Sequence, residues 1–285
     1  MSPRITGLVT AALLTAAPLA LGALPASAAG CTNPEVIATS VAPRSIVLAP
    51  GGTATFAVQV SVRANGCVLT GTEALLTLPT RAKVDQPLTL LSDADGISVF
   101  TGSVPVSASA LDDAAAGTWK VRTSTSWTAG DAPVATEVTT APARGDDEGE
   151  DEGEDDGEDE LENEAVEGEG KVAVLRASSV SAEATSSALS KKNKIKKGKA
   201  LTVKGALRRT SWETGAEAGY AKERVELQFR TPGGRYKKVT SLPTRAGGTF
   251  AKPVKATRDG CYRVVFGGSR TTAPATSAGD CIDVR

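Results

Sequence analysis

The sequence predicts an all-β protein of two tandem sandwiches. Apolar and polar residues alternate at period two in many short runs on both sides of a central acidic stretch. Gly, Pro, Asp and Asn punctuate those runs at turn-like intervals. The first half contains no stretch with the sustained 3.6-residue repeat of an amphipathic helix.

In the first half, Ser45-Ile46-Val47-Leu48 reads as a strand closed by the turn Pro50-Gly51-Gly52. Ala54, Phe56, Val58 and Val60 then alternate with Thr55, Ala57 and Gln59, the pattern of a half-buried strand. Further strands are expected over 74–78, 88–91, 97–102, 118–125 and 134–139. In the second half Lys197-Gly198-Lys199 leads into Leu201, Val203 and Leu207, with strands expected over 225–230, 236–241, 250–254, 261–266 and 281–284. Two features recur in register. Gly51 and Gly198 each precede an alternating strand, and Gly117-Thr118-Trp119-Lys120-Val121 matches Gly260-Cys261-Tyr262-Arg263-Val264. A buried aromatic beside an outward basic residue, late in each half, predicts immunoglobulin-like sandwiches with Trp119 and Tyr262 in their cores.

The amino terminus reads as an export leader. Arg4 precedes an apolar run from Ile5 to Leu24, and Ala26-Ser27-Ala28 offers the small residues a signal peptidase accepts. Cleavage after Ala28 predicts a secreted, extracellular or envelope-associated protein without a transmembrane segment. Ala28-Ala29-Gly30-Cys31 also resembles a lipobox, which would anchor the chain through an acylated Cys31. Parity argues against that route. Pairing Cys31 with Cys67 and Cys261 with Cys281 leaves no cysteine over and keeps each bridge within one half.

Charge divides the chain into blocks. Residues 1–144 carry a net −1, residues 145–170 hold sixteen carboxylates and no base, and residues 171–285 carry a net +16. The organisation that follows is a leader (1–28), a first sandwich (31–143), a disordered acidic linker (144–170) and a second, basic sandwich (171–285). The acidic run lacks the D-x-[DN]-x-[DN]-G-x5-E order of a calcium loop, so loose calcium association is the most it offers.

Residues 194–285 resemble a repeat module of secreted actinomycete proteins, a bacterial immunoglobulin-like repeat of undefined function. The residues that carry this are Lys196-Lys197-Gly198-Lys199, Leu201-Thr202-Val203, Trp212, Gly219-Tyr220, Val225 to Arg230, Asp259-Gly260 and Gly279 to Val284. Where the family places late aromatics, this chain has Cys261 and Cys281. The resemblance implies a cross-strand disulfide in place of an aromatic contact, and it supplies no catalytic residues.

Functionally, the absence of histidine removes the usual general base of serine and cysteine hydrolases and the commonest metal ligand. Asp112-Asp113 and Glu213/Glu217 are the remaining carboxylate pairs, and no residue set combines nucleophile, base and oxyanion donors. The expectation is a non-enzymatic protein with no cofactor and no metal site. The tract Lys191, Lys192, Lys194, Lys196, Lys197, Lys199, Lys204, Arg208 and Arg209 is a candidate polyanion site. No aromatic interleaves with its lysines, so it is not a sequence-specific nucleic-acid reader. Lysines that protect a sheet edge from mispairing account for the same tract equally well. Trp212 and Tyr220 are candidates for stacking on a ligand, against the plainer role of packing over one end of the sandwich. The sequence thus predicts a cell-envelope or adhesion-type interaction module, with the acidic run folding back on the basic domain. A surface spacer without a ligand is the alternative.

Overall fold

The computed structural model describes residues 30–129, 165–190 and 192–285. The leader and the strand expected over 134–139 lie outside them. Among the described residues there is no α-helix, only three single-turn 3-10 segments between strands.

Strands β1 (Glu35–Ala42), β2 (Ser45–Leu48), β3 (Thr53–Arg63), β4 (Val68–Thr77), β5 (Lys83–Pro87), β6 (Thr89–Ala94), β7 (Ile97–Ser107), β8 (Gly117–Thr128) and β9 (Ala165–Arg176) form the first group of sheets. One sheet has the order β1-β3-β7-β6 and the other β2-β9-β8-β4-β5. Period-two alternation decides which side chains turn inward. Along β3, Phe56, Val58, Val60 and Val62 are buried, and they share one core with Leu76, Val121, Val172 and Val174. Each fully buried side chain of this size contributes about 1.5–3 kcal/mol.

The second group comprises β10 (Ser178–Thr185), β11 (Lys194–Ile195), β12 (Ala200–Ser211), β13 (Ala216–Gly219), β14 (Arg224–Arg230), β15 (Lys237–Pro243), β16 (Thr249–Lys255), β17 (Gly260–Phe266), β18 (Ala275–Thr276) and β19 (Asp280–Val284). In one sheet β12 takes β10 on one edge and β13 and β16 along the other. The other sheet runs β11-β19-β17-β14-β15, with β18 beside β17. Leu201, Val203, Leu207, Leu227, Val264 and Phe266 fill the space between them.

The two groups repeat one plan. The opening strand pairs with the long strand of one sheet, β1 with β3 and β10 with β12. A short strand then crosses to the other sheet and runs parallel to its last strand, β2 beside β9 and β11 beside β19. The register match in the sequence falls on β8 and β17. Gly117 (φ 140°) and Gly260 (φ 157°) open these strands, and Trp119 and Tyr262 turn inward, 3% and 6% exposed.

Both disulfides form in the expected pairing that keeps each bridge within one half, Cys31–Cys67 and Cys261–Cys281. Cys261 and Cys281 face one another across β17 and β19. Cys31 Sγ, the atom that lipid anchoring would need, is engaged by the bond to Cys67.

The end of the acidic run is strand where linker was expected. Strand β9 pairs with β8 from Ser126↔Ala165 to Gly117↔Val174, so it completes the first sandwich. The anticipated boundary between residues 170 and 171 falls inside this strand. The run that was expected to join two domains instead connects β8 to β9 within one. Its last six residues are strand because Val166, Gly168 and Gly170 alternate inward while Glu167 and Glu169 face out. Glycine is required where β1 crosses close by. A Cβ on Gly170 would lie 2.8 Å from Val41 Cγ2, and one on Gly168 would strike the Thr39 hydroxyl. Fourteen of the sixteen carboxylates precede residue 165 and lie outside the described residues.

Candidate functional site

The link between the two sandwiches is one residue, Ala177, and the chain around it is tightly bonded. Ala177 donates its N–H to Leu48 O (3.0 Å) and accepts from Thr210 N–H (2.9 Å), while Arg176 and Ala273 bond through their backbones (2.9 Å). Arg176, 4% exposed, forms an ion pair with Asp113 at 2.6 Å. Trp212 belongs to the second domain by sequence yet packs into the core of the first. Its backbone N–H donates to Asp113 Oδ1 (2.7 Å) and its indole N–H to Leu48 O (3.3 Å). Burial raises the Asp113 pKa, but the Trp212 N–H bond and the Arg176 charge outweigh it and hold the carboxyl below its ordinary range.

This junction orients everything else. β8 starts there at Gly117 and β12 ends there at Ser211, so Thr128 and Ala200 lie at the outer ends of the two sandwiches. The end of β8 and the start of β9, which flank residues 130–164, therefore lie at the outer end of the first domain. The loops that precede β12, join β14 to β15 and join β16 to β17 all sit at the outer end of the second.

Topology brings three basic stretches together at that outer end. Lys192, Lys196, Lys197 and Lys199 are exposed around the turn before β12, which is pinned by Gly198 N–H to Ala256 O (2.7 Å) and Lys197 N–H to Arg285 O (2.7 Å). Lys255 and Arg258 flank the β16–β17 turn, and Arg230, Arg235 and Lys237 surround the tip of the β14–β15 hairpin. Between hairpin and turn runs a groove of about 540 Å³, lined by Phe229, Arg230, Thr231, Gly234, Arg235, Lys237, Lys238, Val239 and Arg258. No carboxylate lines it. Among the described residues, none lies within ion-pair distance of Arg230, Arg235, Lys237 or Arg258. Arg258 stacks over Phe229 (5.8 Å), and Tyr236 lies beneath both Arg230 (4.8 Å) and Arg263 (3.9 Å). These contacts fix guanidinium groups over aromatic faces without neutralising them. Lys238 is different, since Glu226 holds it at 3.2 Å.

The expected basic tract is thereby divided. Lys191 lies outside the described residues. Lys194 sits in the short edge strand β11 opposite Asp283. Lys204 lies midway along β12, 4.0 Å from Glu183. Arg208 is exposed toward the junction, and Arg209 lies 4.0 Å over the Tyr220 ring. Lys204, Arg208 and Arg209 thus leave the group, whereas Arg230, Arg235, Lys237 and Arg258 join it. Those four stand up to 28 residues apart in sequence, and only the hairpin string Thr231-Pro232-Gly233-Gly234-Arg235-Tyr236-Lys237-Lys238 hinted at them.

The stacking candidates are spent on packing. Trp212 is 5% exposed, and Tyr220 meets Phe266 edge to face at 5.9 Å beneath Arg209. The carboxylate pairs are similarly committed. Asp113 serves the junction, and Glu213 accepts the Asp113 N–H (3.4 Å). Among the described residues no group of three or more His, Cys, Asp or Glu could hold a metal ion. None of their helices is long and apolar enough to cross a membrane.

No protein-family description matches the chain, and no curated protein matches it. Among solved structures it is similar to a DUF4785 family protein from Legionella pneumophila, at 13% identity and a TM-score of 0.32. The match covers 79% of this chain and 51% of the other, so the chain spans about half that protein's length.

Proposed function

We propose that this is a non-enzymatic, exported interaction protein whose second domain engages anionic polymers through its outer basic end. The observation that carries the reading is the carboxylate-free groove between the β14–β15 hairpin and the β16–β17 turn. Cations fixed on a rigid hairpin attract a polyanion by releasing its counterions, with no need for a shaped pocket. Two further features support the reading. In each group a short strand, β2 or β11, runs parallel to the last strand, which supports reading the two as immunoglobulin-like sandwiches, a scaffold on which loops at one end do the binding. Two disulfides favour an oxidising, extracytoplasmic setting. The acidic run competes with outside polyanions for the same cations.

Retention on immobilised dextran sulfate tests this reading. The protein should bind at about 0.05 M salt and elute well below about 1 M, where screening is nearly complete. Replacing Lys196, Lys197, Lys199, Arg235 and Arg258 with Gln should weaken binding at least about tenfold, since each cation near an anionic surface is worth on the order of 1 kcal/mol. Retention unchanged by those substitutions would sink the proposal. Trp212, anchored across a one-residue link, favours a rigid spacer as the second reading. Absence of retention at any salt supports that spacer.

A further inference from the structure

We propose that the outward face of the first sandwich carries a site for a small phosphate monoester, built by Lys83, Lys120 and Lys171 around Thr77. It lies on the other domain from the basic groove and does not depend on the reading of that groove.

Strand register places these residues in one row. Thr77 pairs with Lys83 on one side and with Lys120 on the other, and Lys120 pairs in turn with Lys171. The row crosses β5, β4, β8 and β9, neighbouring strands standing about 4.8 Å apart. All three lysines are exposed, whereas Val121 and Val172, the next residues along β8 and β9, are buried in the core. Period two therefore turns Lys120 and Lys171 outward together. Unbroken pairing from Ser126↔Ala165 to Gly117↔Val174 fixes their spacing through the backbone.

The sign of these charges sets the row apart. Elsewhere among the described residues, charged residues that face one another across strands are opposite in sign: Glu35↔Arg63, Glu183↔Lys204, Lys194↔Asp283 and Arg122↔Glu169. Lys120↔Lys171 breaks that rule. Like charges directly opposite destabilise a sheet, and a carboxylate on either strand would remove the cost while keeping the face polar. Among the described residues, no carboxylate lies within ion-pair distance of Lys83, Lys120 or Lys171. Arg122, one row away, is held by Glu167 at 3.5 Å. An anion from outside is the partner that the lysine row lacks.

The surface at the row is hollowed. Leu75, Thr77, Lys83, Lys120, Arg122 and Lys171 help to line a depression of about 320 Å³, at the small end of the range for ligand sites. Its one carboxylate, Glu169, stands opposite Arg122. Arg44 shares an adjoining hollow with Lys171 and adds to the positive field. Thr77 supplies a hydroxyl donor between two cations, and Leu75 an apolar contact for the group that bears the anion. Compact ammonium groups act as point charges and suit a compact dianion. A phosphate monoester carries close to two charges at neutral pH, where a sulfate ester carries a single one.

Amide chemical shifts of the full chain, titrated with phenyl phosphate and with phenyl sulfate at about 0.05 M salt, provide the test. Phenyl phosphate should move the amides of Thr77, Lys120 and Lys171, and phenyl sulfate should bind about fivefold more weakly for the charge it lacks. Lys120→Gln and Lys171→Gln should each weaken phenyl phosphate about fivefold, while Lys171→Arg should retain it. Affinity should fall below about pH 6, where the ester takes up its second proton. Without ligand, each Gln variant should unfold no earlier than the wild type, because the like-charge contact is gone. Shifts confined to the second domain, equal affinity for the two esters, or unchanged affinity in both Gln variants overturns the inference. Capture on vesicles containing phosphatidic acid without any response to phenyl phosphate overturns the assignment to a small solute. The five Gln substitutions at the basic end should leave these shifts as they are, so the two proposals fail separately.

Discussion

The two sandwiches share a strand order but hold themselves together differently. In the first, the core spans both sheets, and Trp119 meets Phe56 edge to face at 6.5 Å while donating its indole N–H to Ala115 O (2.8 Å). That core also recruits Trp212 from the other domain. In the second, the smaller Tyr262 stands in the equivalent place, packed on Phe229 at 4.7 Å, and a disulfide ties its strand to β19. One domain borrows apolar volume and the other relies on a covalent staple. The same topology thus tolerates two different sources of stability, provided the buried positions on the central strand are kept.

Truncating the borrowed side chain should produce the largest effect. Trp212→Ala is expected to destabilise the first domain by about 3–5 kcal/mol, as large-to-small aromatic changes in cores do. The residue lies in the other domain's sequence, so a denaturant titration followed by first-domain signals makes the comparison sharp. If only the second domain loses stability, Trp212 does not belong to the first core.

Next in size is the staple. Replacing Cys261 and Cys281 together with Ser should cost the second domain about 3 kcal/mol by the loop-entropy estimate. The first domain, joined through different contacts, should keep its unfolding midpoint. Equal losses in both would show that the two sandwiches unfold as one unit.

The smallest effect is expected from pH. Burial opposes ionisation of Asp113, but the Trp212 N–H bond and Arg176 depress its pKa in the folded state. A depressed carboxylate contributes stability above its unfolded value near 3.8, and that contribution is lost as pH falls through the lower folded value. Asp113→Asn should flatten that acid-limb dependence of the unfolding midpoint. An unchanged acid limb would remove Asp113 as its source.

Much of this fold was legible in the residues. Period two in β3 and β12, the glycine turns before them and the matched strands β8 and β17 follow from local chemistry. Strand β9 was hidden by its composition. Its first half, Ala165-Val166-Glu167-Gly168-Glu169-Gly170, continues an acidic run, and only its alternation marks it as strand. Close approach of β1 explains those glycines, and no local rule reveals a neighbour 130 residues away. The basic end was half visible. The lysines of 192–199 form a run, whereas Arg230, Arg235 and Arg258 meet only because β14, β15 and β17 adjoin. Trp212 and Asp113 were noticed for possible chemistry, and their actual partners lie across a boundary that the sequence does not mark.

The two disulfides also determine how the molecule bears a pull. Cys31 and Cys281 lie close to the two ends of the described chain, and each is bonded to a residue well inside it, Cys67 and Cys261. Tension entering from either end takes the covalent shortcut through sulfur. The stretches between each pair, with β1 to β3 on one side and most of β17 on the other, are bypassed. A tethered copy would therefore hold back that length until it is reduced, which makes its extensibility a function of the surrounding thiols.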